Sequence, residues 1–155
     1  MKWQTAGNSS RLLSLRNQLG TFAGGAHPNT NYGALLWDRR ASKEIGVGAL
    51  FLHADTFSAL IRIRYCAALN AERAKRRRGE KFGGEFDKCP QFSELAIAPL
   101  DRNRNGRFDT IAFVASPYVA GPYVEGEYEI SLPVTSHLIR GIRPEFRDSF
   151  ERQRQ

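Results

Sequence analysis

Three neighbouring glutamates, Glu125, Glu127 and Glu129, are the side chains best suited to acid–base chemistry. On a strand that rises about 3.3 Å per residue, Glu127 and Glu129 would share one face roughly 7 Å apart. That separation suits glycoside chemistry only loosely, and the polar face of a strand is the better interpretation. The chain has no Gly-x-Ser-x-Gly motif, and neither cysteine has a catalytic context. We therefore expect no catalytic residue.

The stretch from 101 to 109 carries oxygen-bearing side chains at the spacing of a calcium loop. Its residues at loop positions 1, 3, 5, 6 and 9 are Asp101, Asn103, Asn105, Gly106 and Asp109. Position 12 is Ala112 instead of the usual bidentate glutamate, and arginines alternate with the donors. The Asn-Gly pair is also a strong hairpin signal. We prefer the hairpin turn and expect no metal here.

The remaining candidates for a metal or cofactor are weak. The histidines His27, His53 and His137 lack the spacing of a metal site. Residues 46–51 resemble the start of a dinucleotide-binding loop, but Phe51 replaces the third glycine, so we expect a turn into a helix. We expect no cofactor. His27 lies in a Gly-Gly turn, where it either holds the turn through a backbone hydrogen bond or faces a partner.

The composition is that of a folded, basic chain. Of 155 residues 41% are hydrophobic, which argues against wholesale disorder. No apolar run approaches the ~18 residues of a membrane span, so no transmembrane helix is expected. The net charge of +7 favours an acidic partner or surface. The basic run at residues 75–78 could contact phosphates, but no aromatic residue interleaves with it; we interpret it as a solvated helix end.

Cys66 and Cys89 have two possible states. In an oxidising compartment they could pair and close a loop of about two dozen residues, worth on the order of 3 kcal/mol. In a reducing cytosol they would be free thiols, and Cys66 could be buried beside an apolar helix stripe. We favour the disulfide.

The elements that must position these residues follow from periodicity and turn signals. Strands are predicted at residues 11–22, 32–37, 44–47, 92–97, 108–115 and 128–132. Residues 54–79 predict a long helix that Asp55 or Thr56 caps, and Thr135 caps a C-terminal helix. Runs of strands with helices between and after them indicate the α+β class, with a mostly antiparallel sheet, one long central helix and a C-terminal helix.

Residues 117–126 form a loop that two prolines and two glycines make stiff. It carries Tyr118 and Tyr123, and Tyr128 follows at the start of the next strand. Rigid aromatic side chains lose little entropy on binding, so this loop is a good recognition surface. We expect Tyr118, Tyr123, Glu125, Tyr128 and His27 to contact a ligand or partner.

Two separated segments resemble a known family. The Gly-Gly-Ala-His segment within residues 22–30, followed by residues 36–38, is similar to the RsiV/PdaC-type extracytoplasmic domain family. Residues 117–133 resemble the C-terminal half of the same domain, and residues 144–150 resemble its closing helix. On this basis residues 11–155 form one such α+β domain, and residues 1–10 are a disordered or truncated N-terminal edge.

The resemblance implies an exported or membrane-tethered domain without known catalytic residues. It makes a periplasmic or extracellular location the expectation, although no signal peptide is present in the sequence, and it strengthens the Cys66–Cys89 pairing. It further implies binding to an envelope protein, with lysozyme as one candidate, or to peptidoglycan. Two alternatives remain: hydrolysis of a cell-wall polymer by Glu125 or Glu129 with His27, and nucleic-acid binding through residues 75–78.

Overall fold

Alternating apolar residues and turn-forming glycines divide the chain into short strands around one long helix. The computed structural model describes residues 1–53 and 55–153. The strands are β1 (Lys2–Asn8), β2 (Leu12–Thr21), β3 (Asn29–Asp38), β4 (Lys43–Ile45), β5 (Ala96–Leu100), β6 (Thr110–Ala115) and β7 (Tyr128–Pro133). The α-helices are α1 (Thr56–Arg76), α2 (Ser136–Gly141) and α3 (Pro144–Arg147).

The strands form two antiparallel sheets instead of one, and the predicted α+β class is confirmed. The first sheet has the order β1-β2-β3-β4 and the second β5-β6-β7. Between the sheets, Ala98 and Ala112 of the second pack against Ala6 and Ala34 of the first. Small side chains at this contact let the two sheets approach closely, because sheet spacing depends on the side chains between them.

Helix α1 covers the other face of the second sheet. Phe57, Ile61, Tyr65 and Leu69 recur every four residues, which places them on one helix face, and all are buried. The Tyr65 ring lies 5.0 Å from that of Phe113 on β6. Each side chain buried in this way contributes roughly 1.5–3 kcal/mol. The stripe predicted from the sequence is therefore the main contact between the helix and the sheet.

The first residues form a strand instead of a disordered edge. Strand β1 pairs with β2 from Lys2 opposite Gln18 onwards, with a register shift between Thr5 and Gly7. A Cβ atom at Gly7 would lie 2.6 Å from the Phe108 ring, so only glycine fits there. The strand was missed because its outward residues are polar and its pairing partner lies later in the chain.

Several boundaries also differ from the prediction. The predicted helix start at residue 54 lies outside the described residues. Asp55 is the N-cap of α1, but its side chain makes no capping hydrogen bond, whereas the Thr135 hydroxyl does cap α2 by accepting the Leu138 N–H. Strand β5 begins later than predicted because Phe92–Glu94 forms a 3₁₀ turn, in which reciprocal Gln91–Glu94 bonds satisfy two backbone N–H groups.

A disulfide joins Cys66 on α1 to Cys89 in the loop that follows the helix. The Cα atoms are 5.6 Å apart, and the two residues are separated by 23 positions in the sequence. The favoured pairing is thus confirmed. The bridge ties the loop at residues 84–91 to the middle of the long helix.

Removing this disulfide should destabilise the domain measurably. We expect the double variant Cys66→Ser, Cys89→Ser to lose about 3 kcal/mol of unfolding free energy, because the unfolded chain regains the entropy of an open loop. Urea unfolding followed by circular dichroism would measure this loss. Dithiothreitol should bring the wild type to the variant's midpoint and leave the variant unchanged; equal midpoints for oxidised wild type and variant would contradict the prediction.

Candidate functional site

The turn between β2 and β3 brings His27 to the surface. Gly24 and Gly25 have φ values of +84° and +114°, a backbone region that glycine adopts without strain. Residues 22–28 are all exposed, and Phe22 is 67% exposed. The Nδ1 atom of His27 lies 3.1 Å from the Pro28 carbonyl oxygen, which fixes the ring relative to the turn.

The loop between β6 and β7 brings two tyrosines to the same place. The Tyr118 N–H donates to the Gly121 carbonyl at 3.1 Å, which closes a tight turn. Tyr118 itself has a φ of +72°. A non-glycine residue in that region carries strain of order 1–3 kcal/mol and is held only where its surroundings impose it. This backbone conformation directs the Tyr118 ring to the surface of the domain, where the side chain is 52% exposed.

His27, Tyr118 and Tyr123 form one stack, here named the aromatic cluster. The His27 and Tyr123 rings are 3.6 Å apart between centroids and inclined by 15°. The Tyr118 hydroxyl lies 3.4 Å from Nε2 of His27, and the Tyr118 and Tyr123 rings are 5.7 Å apart. The Tyr123 hydroxyl also donates to the Pro28 carbonyl at 2.7 Å. The structure thus brings three of the five sequence-predicted residues together, from two distant loops.

Tyr128 and Glu125, the other two, point into the protein. Tyr128 is 1% exposed, and its hydroxyl donates to Oε2 of Glu125 at 2.5 Å. Glu125 also accepts two bonds from Arg77, at 2.7 and 2.9 Å. Burial raises the pKa of Tyr128, and the bonds from Arg77 lower that of Glu125. The expectation that these two side chains contact a partner is corrected: they hold the loop from beneath.

The loop is held by two arginines that the sequence analysis did not single out as site residues. Arg73 donates to the Ala120 carbonyl at 2.9 and 2.8 Å and to the Lys88 carbonyl at 2.9 Å. Arg77 adds an ion pair with Asp87 at 2.7 Å. Both arginines are buried, so the interpretation of residues 75–78 as a solvated face is wrong for Arg77. Burial lowers the pKa of Arg73, whereas hydrogen bonding to Glu125 raises that of Arg77.

The signal for these arginines was present in the spacing. Arg73 and Arg77 continue the four-residue step of the apolar stripe that ends at Leu69. A cation on the buried face of a helix needs partners in the opposite wall. Those partners are backbone carbonyls and carboxylates of loops, which no local pattern identifies.

The side chains considered for hydrolysis or metal binding do not lie together. Glu129 forms a two-point ion pair with Arg16 of β2, at 3.0 and 2.6 Å. Neither Glu125 nor Glu129 bonds to His27 in the described part of the chain. In the described residues, histidine, cysteine, aspartate and glutamate form no group of three that could hold a metal ion. No described helix is both long and apolar enough to cross a membrane.

A solved structure shares this fold. A DUF3298 family protein from Pseudomonas aeruginosa PAO1 aligns with a TM-score of 0.63 and 17% identity over 99% of this chain. The chain spans 63% of that protein's length. At this identity the similarity establishes a common fold alone. No family model matches the sequence, and no curated protein matches it.

The Arg77–Glu125 pair should govern acid stability. The folded-state pKa of Glu125 lies below its ordinary value of 4.5, so its contribution is complete above about pH 4.5 and disappears as the pH falls through the folded-state value. We expect Glu125→Gln to lose about 1.5–3 kcal/mol at pH 7, because a hydrogen bond to a charged group is lost. Urea unfolding at several pH values should show the gap to wild type closing in acid.

The neighbouring Glu127, which is exposed, provides the matched control. Glu127→Gln removes the same charge without an Arg77 contact and should unfold as the wild type does at neutral pH. A gap between Glu125→Gln and wild type that does not change with pH would contradict the assignment.

Proposed function

We propose that this chain is a non-catalytic binding domain that contacts a partner through the aromatic cluster. The observation that carries the proposal is the ordered stack of His27, Tyr118 and Tyr123, in which His27 and Tyr118 are exposed and Tyr123 is half-buried. Its rings are fixed before any partner arrives, so little conformational entropy remains to be lost on binding. A strained backbone at Tyr118, which presents a ring to solvent, is typical of functional sites.

The contacts within the cluster favour a protein partner over a glycan. The Tyr123 hydroxyl is already bonded to the Pro28 carbonyl, and both His27 nitrogens have neighbours at 3.1 and 3.4 Å. Few polar atoms remain to bond sugar hydroxyls, whereas the Tyr118 side chain keeps 52% of its surface exposed. Val124, beside Tyr123, is 88% exposed and adds apolar surface. Tyrosine-rich apolar patches of this kind are enriched among interface hot spots.

We place this activity in the cell envelope, as a member of the RsiV/PdaC-type domain family. The Cys66–Cys89 disulfide supports an oxidising compartment. The fold shared with a DUF3298 family protein is consistent with an α+β domain of that type. The net charge of +7 slows association with a basic protein such as lysozyme at low salt. The binding experiment below therefore measures lysozyme and peptidoglycan as separate ligands.

Removing the Tyr118 ring should weaken partner binding without destabilising the fold. We expect Tyr118→Ala to weaken partner binding tenfold or more, about 1.4 kcal/mol, because hot-spot aromatics carry most of the energy of an interface. Biolayer interferometry with purified lysozyme, co-sedimentation with peptidoglycan and quantitative capture from envelope extract would measure it. Alanine keeps the Cβ atom and with it the backbone strain at residue 118, and the ring removed is 52% exposed, so the melting temperature should stay close to that of wild type.

Trp3 provides the matched control, since its ring is 45% exposed and lies on β1. Trp3→Ala removes a similar amount of exposed aromatic surface and should bind as the wild type does. Binding that Tyr118→Ala and Tyr123→Ala leave unchanged would refute the proposal, as would binding that Trp3→Ala weakens equally. Retention on peptidoglycan alone would replace the protein partner with a glycan.

A further inference from the structure

The two faces of the first sheet have different surroundings. On the inner face, Ala6 and Ala34 pack against the second sheet, Leu36 joins the main core, and Arg16 pairs with Glu129 of β7. Successive side chains of a strand point to opposite faces, so the residues that alternate with these lie on the other side of the sheet. That side is named the outer face here.

The outer face is largely apolar. Cross-strand pairs share a face, and the register puts Leu15 opposite Leu35 and Leu13 opposite Trp37. The apolar residues of the outer face are Trp3, Leu13, Leu15, Leu19, Leu35 and Trp37. Trp3 is 45% exposed, Trp37 is 36% exposed, and none of the four leucines is buried. None of the six belongs to either hydrophobic cluster of the described residues. A contiguous apolar patch of this kind on a folded chain marks an interaction surface.

The area of the outer face meets the lower limit for a specific interface. Its strands have seven, ten, ten and three residues. At about 3.3 Å per residue and 4.8 Å between strands, they present roughly 500 Å². Two such faces in contact bury about 1,000 Å², which is just enough for a specific but weak complex. Sheets also pack face to face without rearrangement, about 10 Å apart and with strands within about 30° of each other.

The charges of the first sheet favour a second copy of this chain as the partner. Lys2, Arg16 and Lys43 are the basic residues of its four strands, and all three alternate with the outer residues and so belong to the inner side. A chain of net charge +7 therefore has an outer face without lysine or arginine on its strands. An acidic protein or an anionic membrane would find no counter-charge there, whereas a second apolar face of the same kind fits it.

One row across the outer face is complementary to itself in charge. The row ends in Asn8 on β1 and in Glu44 on β4. The Arg39 guanidinium donates to Oδ1 of Asn8 at 2.7 Å, so a positive and a negative charge lie at opposite edges, three strand spacings or roughly 14 Å apart. A two-fold axis that runs along the strands, midway between two facing copies, exchanges these edges. Each Arg39 then lies over Glu44 of the second copy, as a two-fold interface requires.

We propose that this chain forms a weak homodimer in which the outer faces of two copies pack sheet on sheet about that axis. Leu15 and Leu35, which are paired on neighbouring strands, lie at its centre, and Arg39 and Glu44 set the relative orientation of the copies. None of the residues of the aromatic cluster belongs to the outer face. The dimer can therefore be tested separately from the proposed binding function, and either can fail without the other.

Sedimentation equilibrium of the full chain measures the association. We expect a Kd of about 10⁻⁵ M, weaker than the micromolar limit of standard-size interfaces because the area is smaller. Trp3 and Trp37 are the two tryptophans of the chain, so dilution through this Kd should shift the fluorescence emission to longer wavelengths. Well below the Kd the chain is monomeric, and there the Trp3→Ala comparison of partner binding is unaffected.

Substitutions at the centre and at the edges of the outer face should weaken the dimer. Leu15→Arg places a charge in the centre of the interface and should raise the Kd at least tenfold. Glu44→Arg sets like charges over each other and should also raise the Kd, and the double variant Arg39→Glu, Glu44→Arg should restore it. Circular dichroism and melting temperature check that each variant folds. Arg39 and Glu44 are exposed, so the edge variants test the interface even if Leu15→Arg does not fold.

Ile63→Arg is the matched control, since Ile63 is 81% exposed on α1 and the substitution adds the same charge as Leu15→Arg. It should leave the dimer Kd unchanged. A chain that stays monomeric up to about 1 mM, a hundred times the expected Kd, would overturn the proposal. A dimer that Ile63→Arg weakens as much as Leu15→Arg, or one in which the double variant does not recover the loss caused by Glu44→Arg, would also overturn it.

Discussion

At the C-terminal end of the long helix, the guanidinium groups of Arg73 and Arg77 leave water and bond to two separate loops. They contact the carbonyls of Ala120 and Lys88 and the carboxylates of Asp87 and Glu125. An arginine withdrawn from solvent in this way is tolerated only when its donors are matched. The position of the aromatic cluster therefore depends on interactions one layer beneath it.

These buried arginine contacts fix the position of the loop at residues 117–126 more than they add to the stability of the fold. Buried ion pairs often contribute little net free energy, since desolvation offsets the Coulombic attraction. Buried ion pairs nevertheless allow few alternative geometries, because any other position of the loop would leave a charge unpaired. Both cations also lie at a helix C-terminus, where the macrodipole favours positive charge. The loop at residues 117–126, which its prolines and glycines predict to be stiff, is thus held in place mainly by Arg73 and Arg77 of the long helix.

The sequence predicts the regular elements better than the site. Period-two alternation identified β7, and that same pattern groups Tyr128 with the buried Ile130 and Leu132 instead of with the two loop tyrosines. The apolar helix stripe predicted which face of α1 is buried, and its spacing extended to Arg73 and Arg77. The stack of His27 on Tyr123 could not be predicted, because it depends on how two distant loops meet after the sheets pack. The same limit concealed the hydrogen bonds that the side-chain amides of Asn103 and Asn105 donate to Glu151, which follows the last helix.

The arginines that contact the segment before and around Cys89 also affect how the chain oxidises. Arg62 donates to the carbonyls of Cys89 and Pro90, at 3.2 and 3.1 Å, and Arg73 to that of Lys88. These hydrogen bonds go to backbone carbonyls and not to sulfur, so they do not depend on the Cys66–Cys89 disulfide. They keep the Cys89 thiol beside Cys66 at an effective concentration far above that of a foreign thiol in solution. Intramolecular ring closure is therefore favoured over mixed disulfides with foreign thiols.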